Sequence, residues 1–600
     1  MTAFVGFMFN TLYLLALGVL TVYGVHRYWQ VVLYYRKSGN KPVPANRFAD
    51  WPAITVQLPL FNERFVAARV IEAACKMDYP RHLLQVQVLD DSTDDSADIA
   101  RETCHKMAAA GHNVEYIHRT NRQGYKAGAL ENGLATATGE YIAIFDADFV
   151  PQPQMLKNTI HYFTDPAVGC VQTRWEHLNR WHSLLTRCQA IFLDGHFVIE
   201  HAARSRSGRF INFNGTGGIW RKTSIAAAGG WQHDTLTEDM DLSYRAQMAG
   251  WRIVFLSEET SPAELPPEIA AFKQQQHRWA KGHAQTAVKI LPRLLASSLP
   301  LKVKMEALFH LSAGAAYPLA VLLSILVFPT FYFGGPSILS PQSPVLWVTL
   351  MCLFAVLTLS ASTFYVVAQR EIEQHWVRCI FLVPLLMAVG TGISLGNALA
   401  VLQGLFGHQS EFVRTPKYGI DAGESRDAWK VRAVKFKRKA NWLAYVELLL
   451  ALYLLICIGI SIATQRAMLC IPFLIIFMSG YLYVGFLSFH SQWLGGRPVP
   501  ENVAMPVVVM LAYTLWAGFR YFKPRPNRRK QGQRIILAGM FFLFLYDGAL
   551  LLANGQKNAA MLIALCAVLS VAAFFAMRMT GKGLNIRPQY RVTRDFRRLR

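Results

Sequence analysis

Residues 4–23 form an almost unbroken apolar run, long enough as one helix to cross the ~30 Å hydrocarbon core of a bilayer. His26, Arg27, Arg36, Lys37 and Lys41 follow it. No cationic stretch precedes the run and no small-residue cleavage site follows, which argues against a cleaved signal peptide. The positive-inside rule then places the N-terminus outside and the next block in the cytosol. From Ala53 to about Pro300 the pattern changes to short apolar runs alternating with helical periodicity. Residues 54–59 predict a buried strand ending in a loop, 65–77 a helix, and 84–89 a second strand running into Asp90. Residues 141–145 predict a further strand running into Asp146. Such alternation predicts a parallel, doubly wound α/β sheet, with ligands at the carboxyl ends of the strands.

The membrane pattern resumes near Met305. Spans are predicted at 308–333, 345–368, 442–463, 468–489, 535–553 and 559–577. Residues 377–402 are apolar but interrupted by Pro384, Gly390, Gly392 and Gly396. A full crossing there would strand the basic 411–440 stretch outside, so a helix lying in the cytosolic interface is expected. Residues 503–522 raise the same parity question. The expected organisation is a membrane helix at 1–35, a cytosolic domain at 50–300 and a membrane hairpin with interfacial helix at 305–405. A basic cytosolic segment at 406–440, further membrane helices at 441–580 and a basic cytosolic tail at 581–600 complete it.

Composition supports a polytopic membrane protein with a soluble insert: 53% of the 600 residues are hydrophobic and 16% charged. The net charge of +23 invites a nucleic-acid partner, but the basic residues cluster beside apolar segments, at 430–439, 523–534 and 587–600. That distribution is the signature of membrane topology, and no nucleic-acid partner is expected. Nine cysteines lie scattered without metal-site spacing, as suits reduced thiols on a cytosolic face.

Four signatures in the soluble block carry chemistry. Asp146-Ala-Asp148 puts two carboxylates at a strand tip, oxygen donors suited to Mg²⁺ or Mn²⁺ bridging a diphosphate. Asp90-Asp91 also ends a strand. It suits either hydrogen bonds to a base or ribose, or an Asx turn capping the next helix. Lys126 is a candidate point charge for the diphosphate. Thr237-Glu238-Asp239 opens a helical pattern, where acids cap; Asp239 is also the candidate general base, with Glu238 positioning. Gln275-Gln-His-Arg278-Trp279 offers a guanidinium fork for phosphate and a flat indole face for a pyranose ring. An amphipathic interfacial helix with a headgroup-level Trp is the plainer alternative.

With those residues in place, the block resembles the processive, membrane-embedded glycosyltransferases of family 2. It is most similar to the cellulose synthase-like A and C proteins that make β-1,4-mannan or β-1,4-glucan. The resemblance rests on Gly124-Tyr-Lys-Ala-Gly-Ala-Leu130, Phe145-Asp-Ala-Asp-Phe149, Gln172-Thr-Arg-Trp175 and Phe213-Asn-Gly-Thr216. Thr237-Glu-Asp-Met-Asp-Leu242 and Gln275-Gln-His-Arg-Trp279 complete it. It implies an α/β GT-A-type domain inserted in a polytopic α-helical membrane protein of the cell membrane (the inner membrane in a bacterium), an Mg²⁺ or Mn²⁺ cofactor, inversion at the anomeric carbon, and export of the product. It also implies that Glu63, Asp90, Asp91, Lys126, Asp146, Gln275 and Arg278 hold the nucleotide sugar and that Asp146 and Asp148 hold the metal. By the same resemblance Asp239 acts as base beside Glu238, and Phe213, Asn214 and Trp279 meet the acceptor. Phe412, Thr415 and Lys417 resemble a gating loop, with Arg414 where valine is usual. One span before the domain, and no cyclic-dinucleotide-binding barrel after the last spans, depart from the bacterial cellulose synthase pattern.

The expected activity is polymerisation of a β-linked, β-1,4 polysaccharide from a nucleotide sugar, with UDP-glucose favoured over GDP-mannose. The partners are donor, growing polysaccharide, membrane lipids, and export or cell-wall accessory proteins. A non-processive transferase acting on a lipid acceptor is the second reading. A transporter is the third; it predicts polar or ionisable residues within the spans, where Glu447 and Asp547 are the few obvious ones and no paired set appears.

Overall fold

The computed structural model describes residues 2–333, 344–408, 414–420, 432, 442–464 and 470–493. Phe412, Asp547, the spans expected at 503–522, 535–553 and 559–577, and the 581–600 tail lie outside the described residues.

Seven strands build one sheet: β1 Ile54–Leu60, β2 Leu84–Asp90, β3 Val114–His118, β4 Tyr141–Ile144, β5 Val168–His177, β6 Gly218–Arg221 and β7 Arg252–Ala263. Their order is β3-β2-β1-β4-β6-β5-β7. The sheet differs from the purely parallel one expected, because β6 runs antiparallel to both β4 and β5. The remaining pairs are parallel, and they bring the ends of β1, β2 and β4 to one edge, as expected of α/β crossovers.

Each face of the sheet has its own core. Ile54, Val56 and Leu58 of β1 alternate onto a face covered by the helices Ala67–Cys75, Ser96–Ala109 and Met155–Ile160. The alternate positions of β1 are polar yet buried: Thr55 Oγ1 donates to Gln85 Oε1 at 2.8 Å and Gln57 Nε2 to Gln87 Oε1 at 3.1 Å. This cross-strand ladder satisfies groups that would otherwise be costly to bury, and it pins β1 against β2 in register. The second core joins Ile142, Ile144, Phe213 and Trp220 to Tyr34 of the Thr2–Arg36 helix and Phe364 of the Pro344–Ile372 helix. The soluble domain therefore packs directly on the ends of membrane-type helices.

Four described helices are long and apolar enough to cross a membrane: Gly6–Arg36, Leu301–Phe333, Val383–Leu405 and Leu443–Thr464. Val383–Leu405 covers the segment expected to lie in the interface; 67% of its apolar window is buried inside the protein. The eight described cysteines are free, as reduced thiols should be.

Candidate active site

Asp146 emerges immediately after β4, where its backbone N–H donates to the buried hydroxyl of Thr216 at 2.8 Å. Thr216 closes the Phe213-Asn-Gly-Thr216 turn, and that turn is held by the Gln172-Thr-Arg-Trp175 strand. Gln172 Oε1 accepts from Asn214 N at 2.8 Å, while its Nε2 donates to Thr216 O at 3.1 Å. Trp175 Nε1 donates to the same carbonyl at 3.3 Å. Two motifs distant in sequence thus act as one bracket beneath the Asp146 carboxylate.

Gly215 of that turn has φ +82°, a conformation that side chains rarely adopt. A Cβ there would lie 3.0 Å from Asp239 Oδ2 and 3.4 Å from Lys126 Nζ. Both conformation and space therefore demand glycine. Lys126 bridges the assembly, with its Nζ 2.6 Å from Asp146 Oδ1 and donating to Gly215 O at 2.8 Å. Burial pushes Asp146 toward the neutral form, but Lys126, Lys417 and Arg278 together hold its pKa below the usual carboxylate value.

Asp239 stands in the first turn of the helix Glu238–Met248. Thr237 stands at the N-cap without a side-chain cap, its hydroxyl pairing with Thr286 Oγ1 at 3.0 Å instead. Asp239 Oδ1 accepts from Met240 N at 2.8 Å. Burial, and then the adjacent Glu238 carboxylate, push the Asp239 pKa to about 7, with Lys126 and Arg278 opposing. A carboxyl so tuned is suited to accept a proton near neutral pH.

The segment 414–420 lies across the strand ends. Lys417 Nζ is 2.5 Å from Asp148 Oδ1 and 3.8 Å from Glu63 Oε1; Arg414 Nη1 is 2.9 Å from Glu63 Oε2. Burial alone would depress the Lys417 pKa, but Asp148, Glu63 and Asp146 together raise it, so the ammonium stays charged. Thr415 is buried in this segment. Glu264, which the sequence did not single out, anchors the segment by accepting backbone N–H groups of Tyr418, Gly419 and Ile420 at 2.9, 2.9 and 3.1 Å. Tyr418 Oη donates to Glu268 Oε1 at 2.6 Å.

Gln275, Arg278 and Trp279 occupy the 28-residue helix Ile269–Ala296, and all three are half-buried. Arg278 acts electrostatically on both Asp146 and Asp239, which places it beside the carboxylates. The Trp279 ring centroid is 6.4 Å from that of Trp175, tilted 54°. Two expected site residues behave differently. Phe213 is fully buried, edge-on to Trp220 at 5.7 Å, so its side chain belongs to the core and not to an acceptor surface. Asp90 is also fully buried, bonded to Tyr116 Oη at 2.7 Å, His118 Nδ1 at 3.2 Å and Ser92 N at 3.1 Å. The Asx-turn role expected of it is thus present, and its carboxylate knits β2 to β3. Asp91 is clasped by Arg119, Nε to Oδ1 at 2.8 Å and Nη2 to Oδ2 at 2.5 Å. Beside it, the Arg122 guanidinium lies 3.3 Å from the Phe61 ring centroid. No sequence signal marked Arg119, Arg122 or Phe61.

Asp146 and Asp148 supply hard oxygen donors, and each already faces an ammonium group. A pair of carboxylates that attracts cation charge fits Mg²⁺ or Mn²⁺ sharing a diphosphate.

Residues 52–282 match a family model described as glycosyltransferase-like family 2. Glucomannan 4-beta-mannosyltransferase 7 of Arabidopsis thaliana is 32% identical over 470 residues, covering 75% of this chain and 81% of that protein. The chain belongs to glycosyltransferase family 2. Probable glucomannan 4-beta-mannosyltransferase 2 of Oryza sativa subsp. japonica is 33% identical to this glycosyltransferase over 421 residues, 69% of this chain and 70% of the relative. A solved mannosyltransferase from Pyrobaculum calidifontis, in complex with GDP-Man and Mn²⁺, aligns with 65% of this chain at 18% identity and a TM-score of 0.45. The glycosyltransferase is a hexosyltransferase and carries several membrane-length apolar helices among its described residues.

Proposed function

We propose that this enzyme transfers mannose from GDP-mannose to a growing β-1,4-mannan or glucomannan chain at the cytosolic face of a membrane. The observation that carries the reading is the 32% identity across 81% of a glucomannan 4-beta-mannosyltransferase. It favours GDP-mannose over the UDP-glucose preferred from sequence.

In this reading, Asp239 takes the proton from the acceptor hydroxyl as that oxygen attacks the anomeric carbon. A single displacement on the opposite face inverts the configuration. Asp146 and Asp148 would hold Mg²⁺ or Mn²⁺, which when bound would supply charge neutralisation for the departing diphosphate. Lys126 and Arg278 meet the diphosphate oxygens, Arg278 as a bidentate fork. Asp91, oriented by Arg119, remains at the nucleoside end with Glu63. Trp279 stacks on the acceptor ring and Gln275 and Asn214 border it, while the 414–420 segment, with Thr415 and Lys417, closes over the donor. Release of the polymer through the membrane helices accompanies processive addition.

The test is incubation of membranes with radiolabelled GDP-mannose or UDP-glucose plus Mg²⁺ or Mn²⁺, followed by digestion with linkage-specific glycanases. GDP-mannose label is expected in a polymer that β-1,4-mannanase degrades. Label from UDP-glucose alone would overturn the donor, and one sugar per acceptor would overturn processivity.

A further inference from the structure

Away from the sugar site, a cavity of about 270 Å³ opens between the soluble domain and the cytosolic end of the Pro344–Ile372 helix. The depth of that helix end is marked by Glu371, which accepts hydrogen bonds from Tyr34 and Tyr35 just before the basic Arg36 and Lys37. Arg180 and Arg187 line the cavity from the soluble domain, and Arg378 lines it from the short helix Val377–Ile380 that follows. Arg180 is neutralised: its Nη2 is 2.6 Å from Asp194 Oδ2, and its Nη1 is 3.7 Å from Glu373 Oε1. Arg187 and Arg378 have no carboxylate within ion-pair distance among the described residues. Arg187 instead lies 4.7 Å over the Trp181 ring, which is 60% exposed. Trp376 and Leu382 also line it.

Two guanidiniums without an ion pair line one cavity together with two tryptophans at the end of the apolar Pro344–Ile372 helix; with Arg180 they outnumber the single lining carboxylate, Glu373, and fit a particular ligand. A phosphodiester accepts from both guanidinium forks. Tryptophan rings favour the headgroup level, and basic pockets on the cytoplasmic side of membrane helices suit anionic headgroups. We propose that this pocket binds the phosphodiester headgroup of an anionic phospholipid of the cytosolic leaflet. The bound lipid clamps the soluble domain to the Pro344–Ile372 helix. The proposal rests on the membrane embedding and is independent of which sugar is transferred.

The test uses the full chain in nanodiscs of phosphatidylcholine with increasing phosphatidylglycerol, reading Tm and lipid retained in native mass spectrometry. The wild type is expected to gain Tm with phosphatidylglycerol. Arg187→Gln/Arg378→Gln is expected to weaken the apparent lipid affinity about thirtyfold, each of the two basic groups near the surface contributing ~1 kcal/mol. Arg187→Lys/Arg378→Lys is expected to recover part of it. A remote charge-matched control, Lys76→Gln/Lys106→Gln, is expected to retain the wild-type response. An unchanged response in the glutamine double variant, or an equal loss in the remote control, would overturn the site. Inorganic phosphate is added to pure phosphatidylcholine nanodiscs as a separate arm. If phosphate alone reproduces the Tm gain, the pocket is a free-anion site and the lipid assignment fails. Failure of the lipid test leaves the donor experiment untouched.

Discussion

The Lys417 ammonium sits 2.5 Å from Asp148 Oδ1, on the carboxylate that with Asp146 would hold a divalent cation. Lysine and metal therefore compete for the carboxylate, or the lysine turns aside when donor and metal arrive. Lys417→Met removes the competitor. The concentration of Mn²⁺ giving half-saturation is expected to fall about tenfold, equivalent to ~1.4 kcal/mol. Turnover is expected to fall too, because the 414–420 segment loses a contact to the site. Mn²⁺ titration followed by electron paramagnetic resonance checks the first effect; unchanged affinity would show that the ammonium does not share the oxygen.

Asp239, with a pKa pushed to about 7 by burial and by Glu238, must ionise before it can accept a proton. The value of kcat/KM is therefore expected to rise with pH through about 7 and level off above it. Stability runs the opposite way. The folded value lies above the ordinary 3.8, so between these pH values ionisation in the buried site costs stability as pH rises. Lys126 opposes the shift, so Lys126→Met is expected to move the acid limb to higher pH. Asp239→Asn is expected to lower transfer by ~10²–10⁴-fold while donor binding, read by equilibrium dialysis, persists.

Glu264 accepts three successive backbone N–H groups and thereby seats the segment that carries Lys417. Glu264→Ala leaves those buried donors unpaired, at ~1–3 kcal/mol for each group. Amide exchange at 418–420 is expected to accelerate at least about tenfold, and kcat is expected to fall. Exchange read by mass spectrometry at the wild-type rate would show that the segment is seated by other contacts.

Trp279 lies 6.4 Å from Trp175 and stays half-buried, leaving part of its indole open. Trp279→Ala is expected to raise the acceptor KM about tenfold or more, the ~1–3 kcal/mol scale of a lost aromatic contact, and to shorten the product. Trp279→Phe should recover most of the loss. An equal rise in donor KM would point to displacement of Arg278 instead.

Local period and motif made much of this molecule readable. The runs leading to Asp90 and Asp146 are strands β2 and β4: Tyr141–Ile144 is uninterrupted apolar, as suits a strand buried on both faces, and Leu84–Asp90 alternates apolar residues with Gln85 and Gln87. The antiparallel β6 was hidden: Gly218–Arg221 is four residues long like β4, but with glycine and arginine at its ends it offers no apolar run to register. Phe213 was legible as part of a motif but not as core, since a motif preserves the bracket around Asp146 without saying which way each side chain faces. Glu264 and Arg119 act on partners 154 and 28 residues away in sequence, and spacing carries no trace of such contacts. Glu447 stood out as an ionisable residue in an apolar span, while its partner belongs to a different helix.

That partner is Lys273. Its Nζ lies 2.6 and 2.8 Å from the two Glu447 oxygens and 3.1 Å from Ser488 Oγ, joining Ile269–Ala296 to Leu443–Thr464 and Ile471–Trp493. Burying both charges costs desolvation, so the pair adds little net stability over an apolar pair of the same shape. Losing one member is different. Glu447→Ala leaves an ammonium in an apolar site and is expected to cost ~3–5 kcal/mol, read as a lower Tm in detergent. Lys273→Met/Glu447→Met is expected to restore most of that Tm. Gln275 and Arg278 lie two and five residues beyond Lys273 on the same helix, so the pair also sets where they stand. If the double variant recovers Tm but not transfer, the ion pair serves to position that helix; recovery of both would leave it a packing element only.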